Sequence, residues 1–582
     1  MLVYGDVEHE KPVCEICAQI ESGLEWCAKS PGGRERHERL VGCFIKAAEL
    51  LQGISDRQFA LHQKDDLTAE QALGGTLLCG LAASVTRSWK AGFGGELVLP
   101  GGWKAALSEL SDSGPVRVRS GEGYAFYALY PEGYMAAAER SGLPAGTIVI
   151  GLRSIGTGLA AMVAAALGSR MYTLRPVGHP FDRRVEIGSA MASHMLADKE
   201  KDFAIVDEGP GFSGSSFGCV ADWLEANGVA PERIHFFPGH CGDLGGQASR
   251  THRERWARRP RHVVEFDDLI LKSKSEKHRL EAWISQVVGP LCEPLRDISG
   301  GSWRALRYLD DRSWPPANAQ MERRKFLART PDGAWLVKFA GLGETGSAKL
   351  RKGRLLSDAG YIPEIAGTVH GFLVGRWIEG VAFDIAACDK RQVAEHVGRY
   401  LGFRARKLGT DGAGASPGIL FEMAIFNTSK AMGEEAGERV ARLLGRAERF
   451  CRDIRPIDTD NRLHRWEWLL DANGRLIKTD ALDHSSAHDL VGRQDVTWDI
   501  AGASVEFDLS RQQRDHLALV VGDETGRRFV PEMLTVHEAL YLGFQIGLWS
   551  TAGAGTDAER RRIEGLVQGY KDCLSRLLEE DQ

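Results

Sequence analysis

The stretch Ala204-Ile-Val-Asp-Glu-Gly-Pro-Gly-Phe-Ser-Gly-Ser-Ser216 decides how this chain is read. It continues a short apolar run, Phe203–Val206, whose length fits a buried strand. Two adjacent carboxylates, Asp207 and Glu208, close the run, and a loop of small residues leads into a helical pattern over Gly218–Ala226. The unpaired N–H groups and the dipole at a helix N-terminus favour an anion such as phosphate. Glycine and serine let the backbone come close to it. Two carboxylates just upstream can hold the vicinal hydroxyls of a ribose. The segment therefore reads as a ribose-phosphate site.

Upstream, Ile148–Gly158 reads IVIGLRSIGTG. Thr147–Gly151 is a buried strand by pattern and Thr157–Leu167 a helix of small residues, while Arg233–Phe237 supplies a third strand. Strand, loop and helix in repetition predict an α/β parallel sheet. The Asp207–Ser216 segment resembles the 5-phosphoribosyl-diphosphate (PRPP) loop of type I phosphoribosyltransferases. By that resemblance Asp207-Glu208 are the acidic pair and Ser213-Gly214-Ser215-Ser216 the phosphate cradle. Four residues separate them here, where the family usually has three. The resemblance implies that the earlier loop binds pyrophosphate, with Arg153 and Ser154 in contact. It also implies that Arg183 and Arg184, in the basic turn Arg175–Arg184, cover PRPP and exclude water.

The implied reaction displaces pyrophosphate from the ribose carbon. Mg²⁺ touches Asp207, and Asp207 and Glu208 act in catalysis. The acceptor is a small molecule that the sequence does not identify. A non-catalytic PRPP or nucleotide sensor is the alternative. Homodimers are common in the family.

Residues 1–115 are expected to be mainly helical, with helical spacing over Glu38–Gln52 and Ala69–Ser88 and a Gly-rich turn at Gly92–Gly102. The phosphoribosyltransferase-like domain is assigned to 116–265. Its Glu122–Tyr134 stretch is aromatic-rich, read as sheet packing with acceptor stacking as the other reading. A helical linker is expected over 266–300, around Lys272–Val288. An α+β two-lobed domain is expected over 301–582. There, Arg324–Thr330 and Ala334–Phe339 read as strands joined at Pro331-Asp332-Gly333.

Three segments of this second half resemble the aminoglycoside phosphotransferase and choline kinase branch of the kinase-like fold. They are Ala334–Phe339, Phe372–Gly380 and the series Arg455–Asn461, Trp466–Asp480, Val496–Ala501. By resemblance, Lys338 touches ATP phosphates, Asp458 is the general base and Asp480 holds Mg²⁺, while Asp499 braces the loop. Leu463 stands where the family has a catalytic-loop Asn, and the helix after Lys338 has no Glu in its body. Tandem chemistry in the two halves is one expectation, and a recognition module without turnover is the other.

The 582 residues suit two to four domains at roughly 100–200 residues each. With 43% apolar and 26% charged residues the composition is that of a soluble globular protein. The apolar runs, such as Leu159–Leu167, are too short for a membrane span. The N-terminus does not read as a signal peptide, so the cytoplasm is the expected location. A net charge of −6 gives no global basic field for nucleic acid. The basic run Arg250–His262 reads as a solvated surface, with phosphate or nucleic-acid contact as its other reading. The 11 cysteines read as reduced thiols. Cys14, Cys17, Cys27 and His37 read as a buried-thiol segment, zinc ligation being the alternative. His235, His240 and Cys241 are candidates for a site rim.

Overall fold

The computed structural model describes residues 7–580 except 212, 247, 320, 385–387, 411, 413, 446–453, 472–473 and 487–490. Strand β1 (Val7–Lys11) is followed by helices α1 (Val13–Lys29), α2 (Arg34–His62), α3 (Ala69–Lys90) and α4 (Trp103–Ser111). Strand β2 (Val116–Ser120) then pairs antiparallel with β1. Helices α5 (Glu122–Phe126) and α6 (Pro131–Ser141) lead into an alternating segment. It comprises β3 (Ile148–Leu152), α7 (Gly156–Leu167), β4 (Arg170–Leu174), β5 (Val177–His179), β6 (Asp182–Arg184), α8 (Ser189–Met195), β7 (Phe203–Val206), α9 (Ser215–Ala226), β8 (Ile234–Phe237) and α10 (Arg250–Arg258).

Helix α11 (Leu280–Val288) connects to β9 (Arg296–Asp297), β10 (Lys325–Thr330), β11 (Gly333–Phe339), α12 (Gly343–Asp358), β12 (Ile365–Val369) and β13 (Phe372–Arg376). The chain ends in a mainly helical part: β14 (Val381–Ala382), α13 (Lys390–Lys407), α14 (Pro417–Met432), α15 (Glu434–Gly445), β15 (Trp468–Leu470), β16 (Leu476–Lys478), α16 (Val496–Glu506), α17 (Arg511–Thr525), α18 (Pro531–Ser550) and α19 (Asp557–Glu580).

The strands of the first half pair in the order β4-β3-β7-β8, all parallel. Every residue of β3 and β7 is buried, because helices cover both faces, and this is why these strands read as unbroken apolar runs. Alternation sorts their side chains. Val149, Ala204, Val206 and Phe237 face the core shared with α7 and the N-terminal helices. Ile150, Phe203, Ile205 and Phe236 face Met191, Phe217 and Trp256 on the α8–α10 side. The first strand in sequence, β3, lies beside the third, β7, so the connections leave this pair in opposite directions. Ligands of open α/β sheets bind at such a switch point, off the carboxyl ends of the strands.

The predicted helices fall inside α2 and α3, and the three predicted strands match β3, β7 and β8 within a residue. The sequence reading missed β4, an edge strand whose first residues are exposed, and the small β5–β6 hairpin. The expected linker helix begins only at Leu280, where Leu280, Trp283 and Ile284 gain a buried face; turns occupy 267–271 and 276–278.

In the second half, five antiparallel strands run in the order β12-β13-β11-β10-β9, and β14-β15-β16 form a separate small sheet. Phe326, Val337, Phe339 and Phe372 of the larger sheet share one apolar core with Phe44, Leu51 and Ala160 of the first half. Among the described residues no helix is long and apolar enough to cross a membrane.

Candidate functional site

The ends of β3 and β7 meet. A Cβ on Gly156 would lie 2.7 Å from the Val206 carbonyl and 3.4 Å from Asp207 Oδ1, so only glycine lets the first turn of α7 approach the acidic strand end. Gly214 has φ of +69°, which lets the loop after β7 turn into α9 at Ser215. Asp207 and Glu208 are half-buried. Asp207 Oδ1 accepts from the Glu208 N–H at 2.8 Å, and the Tyr134 hydroxyl donates to the Asp207 carbonyl at 2.8 Å. A Cβ on Gly123 would sit 3.0 Å from Glu208 Cδ, so this carboxylate faces α5 while Asp207 faces the β3 loop. Burial, reinforced by the charges of Glu208 and Asp207, pushes the Tyr134 phenol well up and keeps it a donor.

Arg153, the expected pyrophosphate contact, is engaged within the chain. Its side chain is buried, with Nε on Asp56 at 2.9 Å, Nη2 on Asp65 at 2.6 Å and Nη1 on the Thr173 carbonyl at 3.1 Å. Arg175 also binds Asp56. This network docks α2 and the loop after it onto the ends of β3 and β4. Burial pushes the Asp56 carboxyl up, but Arg175 and Arg153 outweigh it and hold the group below its usual range. What remains of the expected pyrophosphate loop is Ser154 and the turn into α7.

The Arg175–Arg184 segment forms the β5–β6 hairpin, and its tip lies on the cradle. The Pro180 carbonyl accepts from Ser213 Oγ at 2.8 Å and Ser215 Oγ at 2.7 Å. Arg183 donates to the Pro176 carbonyl, and Arg184 is an exposed partner of Glu186. Beside Glu208, a cavity of about 210 Å³ is lined by Tyr127, Tyr130, Tyr134, Phe266 and His240. Part of the aromatic Glu122–Tyr134 stretch therefore lines a cavity as well as packing on the sheet.

The second cleft is a cavity of about 200 Å³ between the five-stranded sheet and the helical part. Lys338 on β11 binds both oxygens of Asp480, at 2.8 and 2.9 Å, and Asp483 at 2.5 Å. Burial opposes the Lys338 charge, yet these two carboxylates push its pKa above the usual range. In place of an acidic residue, α12 contributes two buried lysines: Lys349 binds Asp483 at 2.6 Å and Lys352 binds Asp458 at 2.8 Å. Burial lowers Lys349 to about 8. Asp480 and Asp483 offer the oxygen donors Mg²⁺ prefers, but the Lys338 ammonium already fills the position between them.

Asp458 does not line this cleft with Lys338 and Asp480. Its carboxylate is held by Lys352 and the Ser485 hydroxyl, with Arg404 at 3.6 Å. From the same loop, Arg462, His464 and Glu467 line the cleft instead. Asp499 accepts from the N–H groups of Asp460 and Asn461 at 2.8 and 2.9 Å, and so fixes that loop. Sequence order alone could not separate Asp458 from its neighbours, because the turn that follows decides which side chains face inward.

Other sequence signals resolve simply. The His37 ring contacts Ser88 and Glu132. Cys17 and Cys27 are buried on the inner face of α1, and Cys14 is exposed. Two arginines of the basic run pair with α9: Arg255 with Asp222, and Arg259 with Glu225 at 2.6 Å. His235 contacts His262 at 3.2 Å. His240 lines the cavity beside Glu208, and the Cys241 N–H faces Glu265.

No family model and no curated protein matches the chain. Solved structures similar to it include choline kinase LicA from Streptococcus pneumoniae (18% identity, TM-score 0.30, covering 43% of this chain and 89% of that one). A choline/ethanolamine kinase family protein from Mesorhizobium loti is similar at 13% identity and TM-score 0.32, covering 50% and 90%. A putative aminoglycoside phosphotransferase from Ralstonia eutropha is similar at 12% identity and TM-score 0.34, covering 52% and 97%. At these scores the likeness carries no argument about activity.

Proposed function

We propose that the crevice between the β3 and β7 loops binds PRPP and transfers its phosphoribosyl group to a small molecule, with release of pyrophosphate. The observation that carries this reading is the pair Asp207-Glu208 at a parallel-strand end, at the switch point, followed within a few residues by a serine-rich helix start. In this reading Asp207 and Glu208 orient the ribose hydroxyls, Ser213–Ser216 take the 5′-phosphate, and Ser154 with the turn into α7 faces the pyrophosphate. Asp207, which faces the β3 loop, offers an oxygen donor of the kind Mg²⁺ prefers, and the ion would neutralise the leaving group. The aromatic cavity beside Glu208 is the proposed acceptor pocket. PRPP entry requires Ser213 and Ser215 to release the Pro180 carbonyl, and the hairpin then closes over the bound sugar.

For the cleft around Lys338 we propose ligand recognition rather than phosphoryl transfer. Asp458 is tied to Lys352, and Lys338 neutralises the carboxylates that would hold a metal. ATP is the first ligand to try there.

The test is pyrophosphate release from PRPP and Mg²⁺ with a pool of small metabolites. Wild type should release it, and Asp207→Asn/Glu208→Gln should lose roughly 10²-fold or more. PRPP binding without release would favour a sensor; absence of both would refute the site.

A further inference from the structure

A buried polar cluster lies behind the Tyr130 wall of the aromatic cavity, where three segments of the chain converge. It joins His37 on α2, Glu132 on α6 and His370 in the turn between β12 and β13. Their side chains are 0%, 0% and 1% exposed. His37 Nε2 is 2.8 Å from Glu132 Oε1, and His370 Nε2 is 3.2 Å from the same oxygen. One ligand atom from each residue can be chosen so that all three lie within 4.8 Å of one another. The edge of a tetrahedron of zinc ligands at about 2.0–2.1 Å is roughly 3.3 Å, so the two short edges are already near that size.

Glu132 has a feature that hydrogen bonding alone leaves unexplained. Its second oxygen, Oε2, is buried without a partner. The ion pairs of Glu132 are to the two histidines, and the wall around them is aromatic. His37 lies 4.8 Å from Phe93, and His370 lies 5.0 Å from Tyr130 and 5.5 Å from Trp283. A buried carboxylate in such surroundings needs a positive partner.

The outer contacts also suit a metal. Ser88 Oγ lies 3.0 Å from His37 Nδ1 and can accept its proton, leaving Nε2 free to ligate. The His370 backbone is held at both ends, its N–H by Glu38 at 2.7 Å and its carbonyl by the Tyr130 hydroxyl at 2.6 Å. We propose that His37, Glu132 and His370 form a structural zinc site. The second Glu132 oxygen completes it. The site clamps the N-terminal helices and α6 to the turn of the second sheet. Two nitrogens and a carboxylate are a zinc-type donor set, and the closed surroundings favour a structural role over a catalytic one. The ligands stand 95 and 238 residues apart in sequence, so no short spacing announces them.

The test uses the full-length protein. Elemental analysis should find about one zinc per chain. Chelation should lower Tm, and zinc should restore it. Co²⁺ added to the stripped protein should give the visible ligand-field band of a tetrahedral site. His370→Gln can still donate to Glu132 but should abolish the band, and Ser88→Ala should weaken zinc binding by about 10-fold. If the variants do not fold, wild type alone decides. A natively folded metal-free protein whose Tm is unmoved by zinc, and which gives no Co²⁺ band, would overturn the proposal.

Discussion

The two clefts put their charged residues to different use. At the β3–β7 crevice the carboxylates Asp207 and Glu208 close a strand and stand beside small residues, while the nearby arginines Arg153 and Arg175 are turned inward to Asp56 and Asp65. In the second cleft Lys338 sits on Asp480 and Asp483 and Lys349 on Asp483, and next to it Lys352 sits on Asp458. The first crevice sets its carboxylates beside a loop of small residues and a helix start. A ligand of the second must first separate ion pairs that already satisfy one another. The difference teaches that the same residue types read as catalytic from sequence can be site or scaffold, depending on what the fold sets against them.

The largest effects should come from scaffold charges. Arg153→Ala leaves Asp65 buried beside Asp56, and Lys338→Met leaves Asp480 and Asp483 without their shared cation. Each should cost about 3–5 kcal/mol of stability in denaturant titrations. A loss under 1 kcal/mol for Arg153→Ala would mean that its guanidinium is free for ligand after all. Asp458→Asn sharpens the contrast. It should lower Tm by unpairing Lys352 while leaving ATP affinity unchanged; a selective loss of ATP binding at unaltered stability would return Asp458 to the cleft.

A pH effect of intermediate size is expected in the helical part. Burial pushes the Glu506 carboxyl up to about 7, although Tyr541 and Tyr570 donate to it at 2.9 and 2.7 Å. Its folded pKa is therefore above its unfolded one, and the native state takes up the proton first. Its contribution is full below the unfolded pKa of about 4.5 and is lost as pH rises through about 7. Glu506→Gln should flatten the fall in Tm across that window; an unchanged slope would show that Glu506 is ionised throughout. Smaller still, Ser213→Ala removes one bond to Pro180 and should cost about 1 kcal/mol. Arg184→Ala, at an exposed pair, should cost no more than about 0.5 kcal/mol.

Contiguous signals were legible. The strand Phe203–Val206, its acid pair and the helix that follows lie within one short stretch, and burial on both faces made the strand an unbroken apolar run. Lys338 and Asp480 are far apart in sequence, yet each sits on or beside a strand with a clear pattern, and they meet. The signals that failed depended on distant partners. Arg153 reads as a phosphate ligand until Asp56 and Asp65 are brought to it, and Asp458 reads as a base until Lys352 reaches across from α12. The edge strand β4 opens on the exposed Arg170 and buries only its last three residues, and the β5–β6 hairpin has no buried residue to leave a pattern.

Calorimetric titration of PRPP with Mg²⁺ into wild type, Asp207→Asn/Glu208→Gln and Arg250→Ala tests the central claim most directly. Binding to wild type and to Arg250→Ala, with at least a roughly 10-fold loss in the double variant, is the predicted result. Equal affinity in all three, or no binding to wild type, would contradict it.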